Sequence, residues 1–334
     1  MPQLSAKILP WPADWSALFG AERPLILEIG FGRGQFLLHL AQLNPASNVI
    51  GLEISNKCLD SVEQTLLRQQ ITNVRVVHST AETALAHLFT PASLTQVHIN
   101  FPDPWFKVRH GHRRLMQRDT LDLLVNRLAP GGELYLATDI VEYAEMSAEL
   151  LAATPGLENL LDAPWQHTMP GRVVTKYERK AQREGRMCYY FAYRRNQQPA
   201  PPAPQIREFD MPHMVLHSPM TFGAIQEQFQ PAVHDEGDTH IRFIHVYQGE
   251  KSLLFEVYVK EPTIEQRVAV MLLEHEEHAN HYTLHLSPMG HPRPTAGIHR
   301  AVSLLGVWLL GLHPETSVLK HTIQPDQINK AQIQ

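Results

Sequence analysis

The sequence predicts an α/β fold: a doubly wound, Rossmann-like sheet of mostly parallel strands, followed by a second, smaller α+β domain. Short apolar runs alternate with segments of helical periodicity in the first half of the chain, which is typical of parallel strands joined by helices. A glycine-rich turn joins the first run to the first helical segment, where doubly wound folds bind nucleotide-like ligands. A proline-rich stretch then separates this half from a β-rich remainder.

Strand and helix signals follow one another in order through the first domain. Short apolar runs bounded by turn residues predict strands at residues 24–29, 48–52, 74–77, 97–101 and 133–138. Apolar residues spaced three and four apart predict helices at residues 36–43, 56–70, 81–88 and 121–128. The turn Pro130, Gly131, Gly132 precedes the fifth strand. Because parallel strands are joined by right-handed crossovers, we expect helices on both faces of the sheet.

The domain boundary is predicted at a segment that contains four prolines and sustains neither a helix nor an interior strand. Residues 198–205 are therefore interpreted as a stiff linker between domains 1–197 and 206–334. The predicted elements of the second domain are strands at 241–247, 253–260 and 282–286 and a helix at 301–310. A polar turn with Gly249 between the first two strands predicts a hairpin. The sequence does not indicate a role for this domain.

Composition narrows the class of protein. Hydrophobic residues at 43% and charged residues at 19% are ordinary for a soluble globular chain. The first residues lack the pattern of a signal peptide, and the longest apolar candidate, residues 301–312, is shorter than a membrane span. Cys58 and Cys188 are too far apart in sequence to indicate a disulfide framework or a zinc site. We therefore expect a cytoplasmic protein.

Charge is distributed unevenly along the chain. The formal net charge of -5 argues against a nucleic-acid partner, because phosphate binding depends on lysine and arginine. Residues 101–118, however, carry five Lys or Arg against one acid, and residues 172–195 carry eight against two. Each segment alone is typical of a solvated surface. Two basic segments in one domain of an acidic protein favour an anionic partner.

The glycine-rich turn begins with an acid. Glu28 precedes Gly30, Gly32 and Gly34, a spacing that is weak on its own and also occurs in dinucleotide sites. Glu28 would repel a pyrophosphate and suits a cation, and S-adenosylmethionine carries a sulfonium and an ammonium group but no phosphate. Glu53, at the end of the second strand, suits ribose hydroxyls, although an acid there is also favoured by a helix dipole. Together the two acids favour the methyl donor.

One stretch of the sequence is specific enough to indicate a family. Residues 100–107 read N-F-P-D-P-W-F-K and are followed by the basic run R-H-G-H-R-R at residues 109–114. This stretch resembles the P-D-P-W motif and basic run of the bacterial tRNA (guanine-N7)-methyltransferases. Further matches are Thr138, Asp139 and Tyr143 after the fifth strand, and the T-K-Y-E run at residues 175–178. The resemblance covers about residues 20–195 and implies a class I methyltransferase domain.

The resemblance also implies a reaction and a set of site residues. It implies S-adenosylmethionine as cofactor, tRNA as partner and the variable-loop guanine at position 46 as target. It assigns Asp103 as the catalytic residue. The predicted cofactor-binding residues are Glu28, Gly30, Gly32, Gly34, Glu53, Thr80 and Asp103. The predicted substrate-binding residues are Lys107, Arg109, Arg113, Arg114, Asp139, Thr175, Lys176, Tyr177 and Glu178.

The chain departs from the family pattern at the position expected next to the adenine of S-adenosylmethionine. Where the family usually has an aspartate after the third strand, this sequence has Ser79 and Thr80, and we align Thr80 with that position. A hydroxyl still accepts a hydrogen bond but supplies no charge, so we expect cofactor affinity to be altered. Tyr177 and His112 replace residues that are more common in the family, and neither change affects the chemistry.

The reaction makes a geometric demand. Guanine N7 carries an exposed lone pair at neutral pH, so attack on the methyl group needs no general base. Asp103 is therefore interpreted as a positioning group, within a loop that Pro102 and Pro104 make rigid. Trp105 offers a stacking surface, although a plain core aromatic is the alternative. The basic side chains would contact tRNA phosphates.

Other interpretations remain open at this stage. The same fold could methylate another RNA or a small molecule, although the two basic segments argue against a small molecule. A non-catalytic RNA-binding module with a degraded cofactor site is suggested by Thr80 and opposed by the retained acids. Thirteen of the 20 histidines lie from His213 onward, but no spacing matches a zinc pattern, so no metal is predicted. Monomer and homodimer are both compatible with the sequence.

Overall fold

A computed structural model describes residues 4–104, 114–203, 206–275 and 278–324, apart from the side chains of Lys176 and Tyr177. The chain divides into two compact units, Met1–Gln205 and Ile206–Gln334. Each unit has its own sheet and its own buried core. No helix in the described ranges combines the length and apolar character that crossing a membrane requires.

The first unit is built around an eight-stranded sheet. Its strands are β1 (Leu4–Ser5), β2 (Leu25–Ile29), β3 (Asn48–Glu53), β4 (Val74–His78), β5 (Leu94–Asn100), β6 (Leu128–Thr138), β7 (Leu157–Asn159) and β8 (Tyr189–Arg195). The strand order is β1-β4-β3-β2-β5-β6-β8-β7. Strands β4, β3, β2, β5 and β6 pair in parallel, whereas β8 is antiparallel to both of its neighbours. The predicted doubly wound, mostly parallel sheet is confirmed.

Helices cover both faces of this sheet. They are α1 (Trp15–Phe19), α2 (Gln35–Leu43), α3 (Asn56–Arg68), α4 (Ala81–His87), α5 (Arg118–Arg127), α6 (Val141–Ala152) and α7 (Lys176–Arg183). Successive side chains of a strand point to opposite faces, so one strand serves two cores. Ile26 packs with α2 and α3, and the adjacent Leu27 packs with α4 and α5. Burying each such side chain contributes roughly 1.5–3 kcal/mol.

Two features of the first sheet differ from the sequence prediction. Strand β6 does not begin after the Pro130-Gly131-Gly132 turn but runs through it, and Gly131 has a φ of 85°. The pairing with β5 shifts register between Leu94 and Gln96, so the extra residues of β6 bulge out of the ladder. Strands β7 and β8 extend the sheet beyond β6, and no strand was predicted in either segment.

The proline-rich segment lies against the first unit. Asn126 Nδ2 donates a hydrogen bond to the carbonyl oxygen of Pro201 at 2.8 Å. Ala203 packs against the core cluster that contains α5. Residues 199–203 lie in neither a helix nor a strand, as their prolines favour, and Pro201 and Ala203 are anchored to the first unit.

In the part of the second unit that the structure describes, a seven-stranded sheet packs with two helices. Its elements are β9 (His213–His217), α8 (Phe222–Gln228), β10 (Ala232–Glu236), β11 (Thr239–Gln248), β12 (Ser252–Glu261), β13 (Ile264–Glu274), β14 (His281–Leu286), α9 (Ala296–Leu312) and β15 (Ser317–His321). The order is β10-β11-β12-β13-β14-β9-β15, and each of these pairings is antiparallel. The predicted hairpin joins β11 and β12, and the α+β character is confirmed. Both helices pack on the buried side chains of the sheet, such as Phe255 and Leu284.

Candidate active site

A cavity of about 230 Å³ opens at the carboxyl ends of β2 and β5. The chain turns to opposite sides of the sheet after these two strands, and doubly wound folds bind ligands at such a switch point. The residues around the cavity are Glu28, Gly30, Phe31, Gly32, Arg33, Gln35, Phe36, Cys58, Asn100, Phe101 and Thr175. Four segments that are distant in sequence therefore meet here: β2 with its turn into α2, α3, the end of β5 and the start of α7.

The glycine turn brings backbone close to the cavity. Gly30, Gly32 and Gly34 have φ values of 73°, 55° and 75°, a region that favours glycine. A Cβ added to Gly34 would lie 2.5 Å from Cγ2 of Val62, so this glycine allows α2 and α3 to approach each other. A Cβ on Gly30 would meet nothing within 4 Å, which leaves the surface of the turn open to a ligand.

Glu28 is a buried carboxyl group with one unsatisfied oxygen. Its side chain is 2% exposed, and Oε1 accepts a hydrogen bond from Asn100 Nδ2 at 3.1 Å. Oε2 is buried without a hydrogen-bond partner in the described ranges. Desolvation by burial raises the pKa of Glu28 to about 8, although the Asn100 hydrogen bond and the charge of Arg172 act in the opposite direction. A cationic group in the cavity would stabilise the ionised form.

Glu53 is held by backbone amides. Oε2 accepts from Gly32 N at 2.8 Å, and Oε1 accepts from Ile54 N at 2.9 Å and from Ser55 N at 3.1 Å. The contacts with Ile54 and Ser55 place the carboxylate at the start of α3, where the helix dipole favours an acid. The contact with Gly32 joins the glycine turn to the end of β3. A carboxylate oxygen has a second lone pair, so ribose binding by Glu53 stays a prediction.

Thr80 caps a helix. Its Oγ1 accepts from Thr83 N at 3.3 Å and donates to Thr83 Oγ1 at 3.1 Å, so Thr80 is the N-cap of α4. Thr80 is exposed and is not among the residues around the cavity. The hydroxyl oxygen has a second lone pair, so the contact of Thr80 with the adenine stays a prediction.

Asp103 lies in the loop that follows β5. Phe101, which borders the cavity, has a φ of 51°, and its N–H donates to the carbonyl oxygen of Ala137 at 2.7 Å. The hydrogen bond is the last between β5 and β6, the left-handed conformation of Phe101 ends the strand, and Asp103 is exposed two residues later. Arg114 Nε donates to the carbonyl oxygen of Pro104 at 3.1 Å, so this arginine supports the loop from within the protein.

Several predicted substrate-binding residues lie outside the described residues. These are Lys107, Arg109 and Arg113, together with Trp105 and the side chains of Lys176 and Tyr177. Their roles stay predictions.

Asp139 and the T-K-Y-E run are fixed by internal contacts. Asp139 forms an ion pair with Arg186, which also pairs with Glu184 at 2.6 Å. Thr175 and Glu178 form a capping box at the start of α7, in which each side chain accepts from the other residue's backbone N–H at 3.2 Å. The hydroxyl group of Tyr190 donates to Glu178 Oε1 at 2.7 Å. The capping box thus brings Thr175 to the cavity wall.

The sequence analysis did not identify Asn100 and Arg172 as site residues. Asn100 was part of the quoted motif, and Arg172 was counted only in the second basic segment. A purely solvated surface, which was the alternative for this segment, does not describe two of its members, because Arg172 is partly buried and Arg195 is 7% exposed. No sequence signal distinguishes these arginines from their exposed neighbours.

The histidines of the second unit cluster in space. The rings of His217, His275, His278 and His281 lie with neighbouring centroids between 5.3 and 6.5 Å apart. Within the described ranges, no group of three or more His, Cys, Asp or Glu side chains has an arrangement that could hold a metal ion.

The residues of the cavity fit S-adenosylmethionine. The unpaired oxygen of Glu28 suits a cation, the rings of Phe31 and Phe36 offer apolar surface, and the open turn at Gly30 allows close approach. A doubly wound sheet with this cavity at its switch point, and an acid with one unpaired oxygen inside it, fits the class I methyltransferases that use S-adenosylmethionine.

Comparison with known proteins gives the family. Residues 22–191 match a family model described as a methyltransferase. The chain is 40% identical over 196 residues to a tRNA (guanine-N(7)-)-methyltransferase of Cupriavidus pinatubonensis, covering 58% of this chain and 77% of the relative. It is 41% identical over 189 residues to the enzyme of the same name from Geobacter metallireducens, covering 56% and 89%. The chain belongs to the tRNA (guanine-N7)-methyltransferase family.

Solved structures are also similar to this chain. A 16S rRNA methyltransferase, KamB, aligns with 59% of this chain and 100% of its own, at 16% identity and a TM-score of 0.44. The family model ends at residue 191 and so includes none of the second unit.

Proposed function

We propose that this protein transfers the methyl group of S-adenosylmethionine to N7 of the guanine at position 46 in the variable loop of tRNA. The observation that carries the proposal is the buried carboxyl group of Glu28, whose Oε2 has no hydrogen-bond partner in the described ranges, in a cavity at the switch point of the sheet. The family supports tRNA as the substrate, since relatives with about 40% identity are named for that reaction.

The protein's contribution to this reaction is orientation. When bound, S-adenosylmethionine supplies an electrophilic methyl group, and the N7 lone pair of guanine needs no proton removed. Glu28 and the glycine turn would hold the cationic end of the donor, and Phe31 and Phe36 would exclude water from it. Holding the reacting atoms in line removes roughly 7–11 kcal/mol of barrier in favourable cases. No residue of the chain has to act as a base.

The guanine would enter from the side of Asp103 and Thr175. Asp103 follows the cavity residue Phe101, and Thr175 borders the cavity itself, so both are near the place where N7 must lie. The exposed carboxyl group of Asp103 would position the base through its N–H edge. We further propose that the predicted basic residues after β5 contact tRNA phosphates and that the enzyme acts in the cytoplasm.

Methyl transfer to defined transcripts tests the proposal. Unmodified tRNA and donor with a labelled methyl group are incubated with the protein, and the modified nucleoside is mapped. We expect 7-methylguanosine at position 46 only, and a transcript with adenine at that position as control should stay unlabelled. Label in another RNA or at another position would favour the alternative substrate, and donor-independent tRNA binding without transfer would favour a non-catalytic module.

The ionic strength dependence of tRNA binding tests the phosphate contacts. Each neutralised phosphate releases counterions, so the affinity should fall steeply as salt rises. A binding constant that stayed the same between low and physiological salt would exclude a basic surface as the main contact.

A further inference from the structure

Arg172 is a partly buried cation beside the donor cavity. Its guanidinium lies 4.6 Å from the ring centroid of Phe36 and 5.3 Å from that of Tyr190, so two aromatic faces enclose it. It is not itself among the residues around the cavity. Removing an arginine from water costs free energy unless hydrogen-bond acceptors or negative charges compensate for the lost water. Arg172 therefore needs a hydrogen-bond acceptor near its guanidinium.

That acceptor is Asn100. Arg172 Nη2 donates to Asn100 Oδ1 at 2.5 Å, and Asn100 Nδ2 donates to Glu28 Oε1 at 3.1 Å. The two ends of an amide side chain are different, and Arg172 can only donate. The arginine therefore fixes which end of the Asn100 amide faces Glu28. With the amide in this orientation, its N–H group supports the carboxyl group that points into the cavity.

We propose that Arg172 is a positioning residue for the methyl donor: it holds the Asn100 amide, which in turn holds the Glu28 carboxyl group in place for the cationic donor. This inference rests on the proposed function, because the donor is the ligand being positioned. Arg172 touches two residues of the cavity, Asn100 through a hydrogen bond and Phe36 through its ring. Its effect should therefore appear in donor binding and should depend on Glu28.

Titration calorimetry with S-adenosylmethionine and the full chain tests this inference. Arg172→Met should weaken donor binding about tenfold, the effect of losing a hydrogen bond that involves a charged group. Arg172→Lys, which keeps the charge but not the planar fork, should bind with intermediate affinity. Asn100→Ala should resemble Arg172→Met. In a Glu28→Gln background, Arg172→Met should weaken binding by less than about twofold, because the group that it positions is gone.

Arg195→Met is the matched control, since Arg195 is a buried arginine of the first unit that does not contact the cavity. It should reduce thermal stability and leave donor affinity unchanged, whereas a purely structural role for Arg172 would make the two variants alike. Unchanged affinity in folded Arg172→Met, or equal weakening with and without Glu28, would overturn the inference. If Arg172→Met does not fold, unchanged affinity in Asn100→Ala overturns it. Failure of the unmodified protein to bind donor would instead reject the proposed function.

Discussion

Glu28 shows how a single residue connects the fold to the chemistry. It is part of the apolar run of β2, and a carboxyl group at that place lies in the middle of the sheet with one amide as partner. Burial favours its neutral form, whereas a cationic donor favours its ionised form. An ionised Glu28 would therefore lower the stability of the donor-free protein, and a bound cationic donor would offset that loss.

Replacing Glu28 should reduce donor affinity. Glu28→Gln keeps the shape of the side chain and removes the charge, so S-adenosylmethionine should bind between about 10-fold and 100-fold more weakly. Calorimetry at neutral pH measures this change. Glu22→Gln, at an exposed acid outside the cavity, is the control and should bind the donor normally. Equal affinity in the two variants would contradict the assignment of Glu28 to the donor site.

The same substitution should change how stability depends on pH. The pKa of Glu28 rises from 4.5 to about 8 on folding, so the folded chain holds this proton more tightly than the unfolded chain. The stabilisation from this proton is complete below about pH 4.5 and is lost as pH rises toward 8. Glu28→Gln does not ionise and avoids this loss.

Urea unfolding of the donor-free proteins at about pH 5 and about pH 8.5 measures the effect. Glu28→Gln should exceed the unmodified protein in free energy of unfolding, and the margin should be larger at the higher pH. A margin that does not change with pH would mean that Glu28 titrates normally in the folded chain.

At the scale of residues, the sequence indicates a role for some site residues and gives no signal for others. Glu28 could be assigned because the acid stands at a fixed place in a strand-turn-helix pattern. Arg172 could not, because its burial depends on Phe36 and Tyr190, which lie far away in sequence. The position of Glu53 at the end of β3 could be predicted, but its role could not. Backbone N–H groups and ribose hydroxyls both donate hydrogen bonds to a carboxylate, so either can explain an acid at this position.

At the scale of elements, α7 is the helix that presents the T-K-Y-E run. It has only eight residues, and a short helix depends strongly on its cap. The capping box of Thr175 and Glu178 supplies that cap, and Tyr190 on β8 braces it. The motif residues therefore hold the helix in place, whatever direct contacts they make with RNA.

Removing the cap should loosen α7. Thr175→Ala should cost about 1 kcal/mol of local stability, whereas Thr175→Ser keeps the hydroxyl group and should cost much less. Hydrogen exchange of the α7 amides measures the loss, and methyl transfer to tRNA should slow in Thr175→Ala only. Unchanged exchange in Thr175→Ala would show that the helix does not depend on this cap.

The elements themselves were predicted unevenly from the sequence. Strands β2 to β5 are short buried apolar runs, and the observed bounds agree with the predicted ones within a few residues. Strand β6 was shortened because Pro130 and the two glycines after it normally end a strand, whereas here they form a bulge. Strand β8 was not predicted because the segment was interpreted only by its charge, since it ends in Arg194 and Arg195. Four of its seven residues are nevertheless buried aromatic or alanine side chains.

At the scale of the whole molecule, the chain has two units with separate cores. The core clusters of the first unit contain only residues up to Ala203, and that of the second begins at Met214. Every residue around the donor cavity belongs to the first unit. The prolines indicate where the chain divides, whereas the number and order of the strands in the second unit could not be predicted, because antiparallel pairing depends on distant contacts.

The first unit should therefore work alone in donor binding. A fragment of residues 1–205 should fold and bind S-adenosylmethionine with the affinity of the full chain, measured by calorimetry and thermal unfolding. A fragment of residues 1–197 should be less stable, since it loses the Asn126 contact with Pro201 and the packing of Ala203. A 1–205 fragment that folds but does not bind the donor would show that the second unit contributes to the cavity.

The position of β8 at the end of the first unit has a consequence for how the protein is made. A nascent chain that stops before this strand lacks Tyr190, which is the brace of Glu178 and one of the two rings around Arg172. All residues around the cavity precede β8, but we expect their supports to be complete only after this strand has left the ribosome. Donor binding to a ribosome-bound nascent chain should therefore begin only when β8 is exposed.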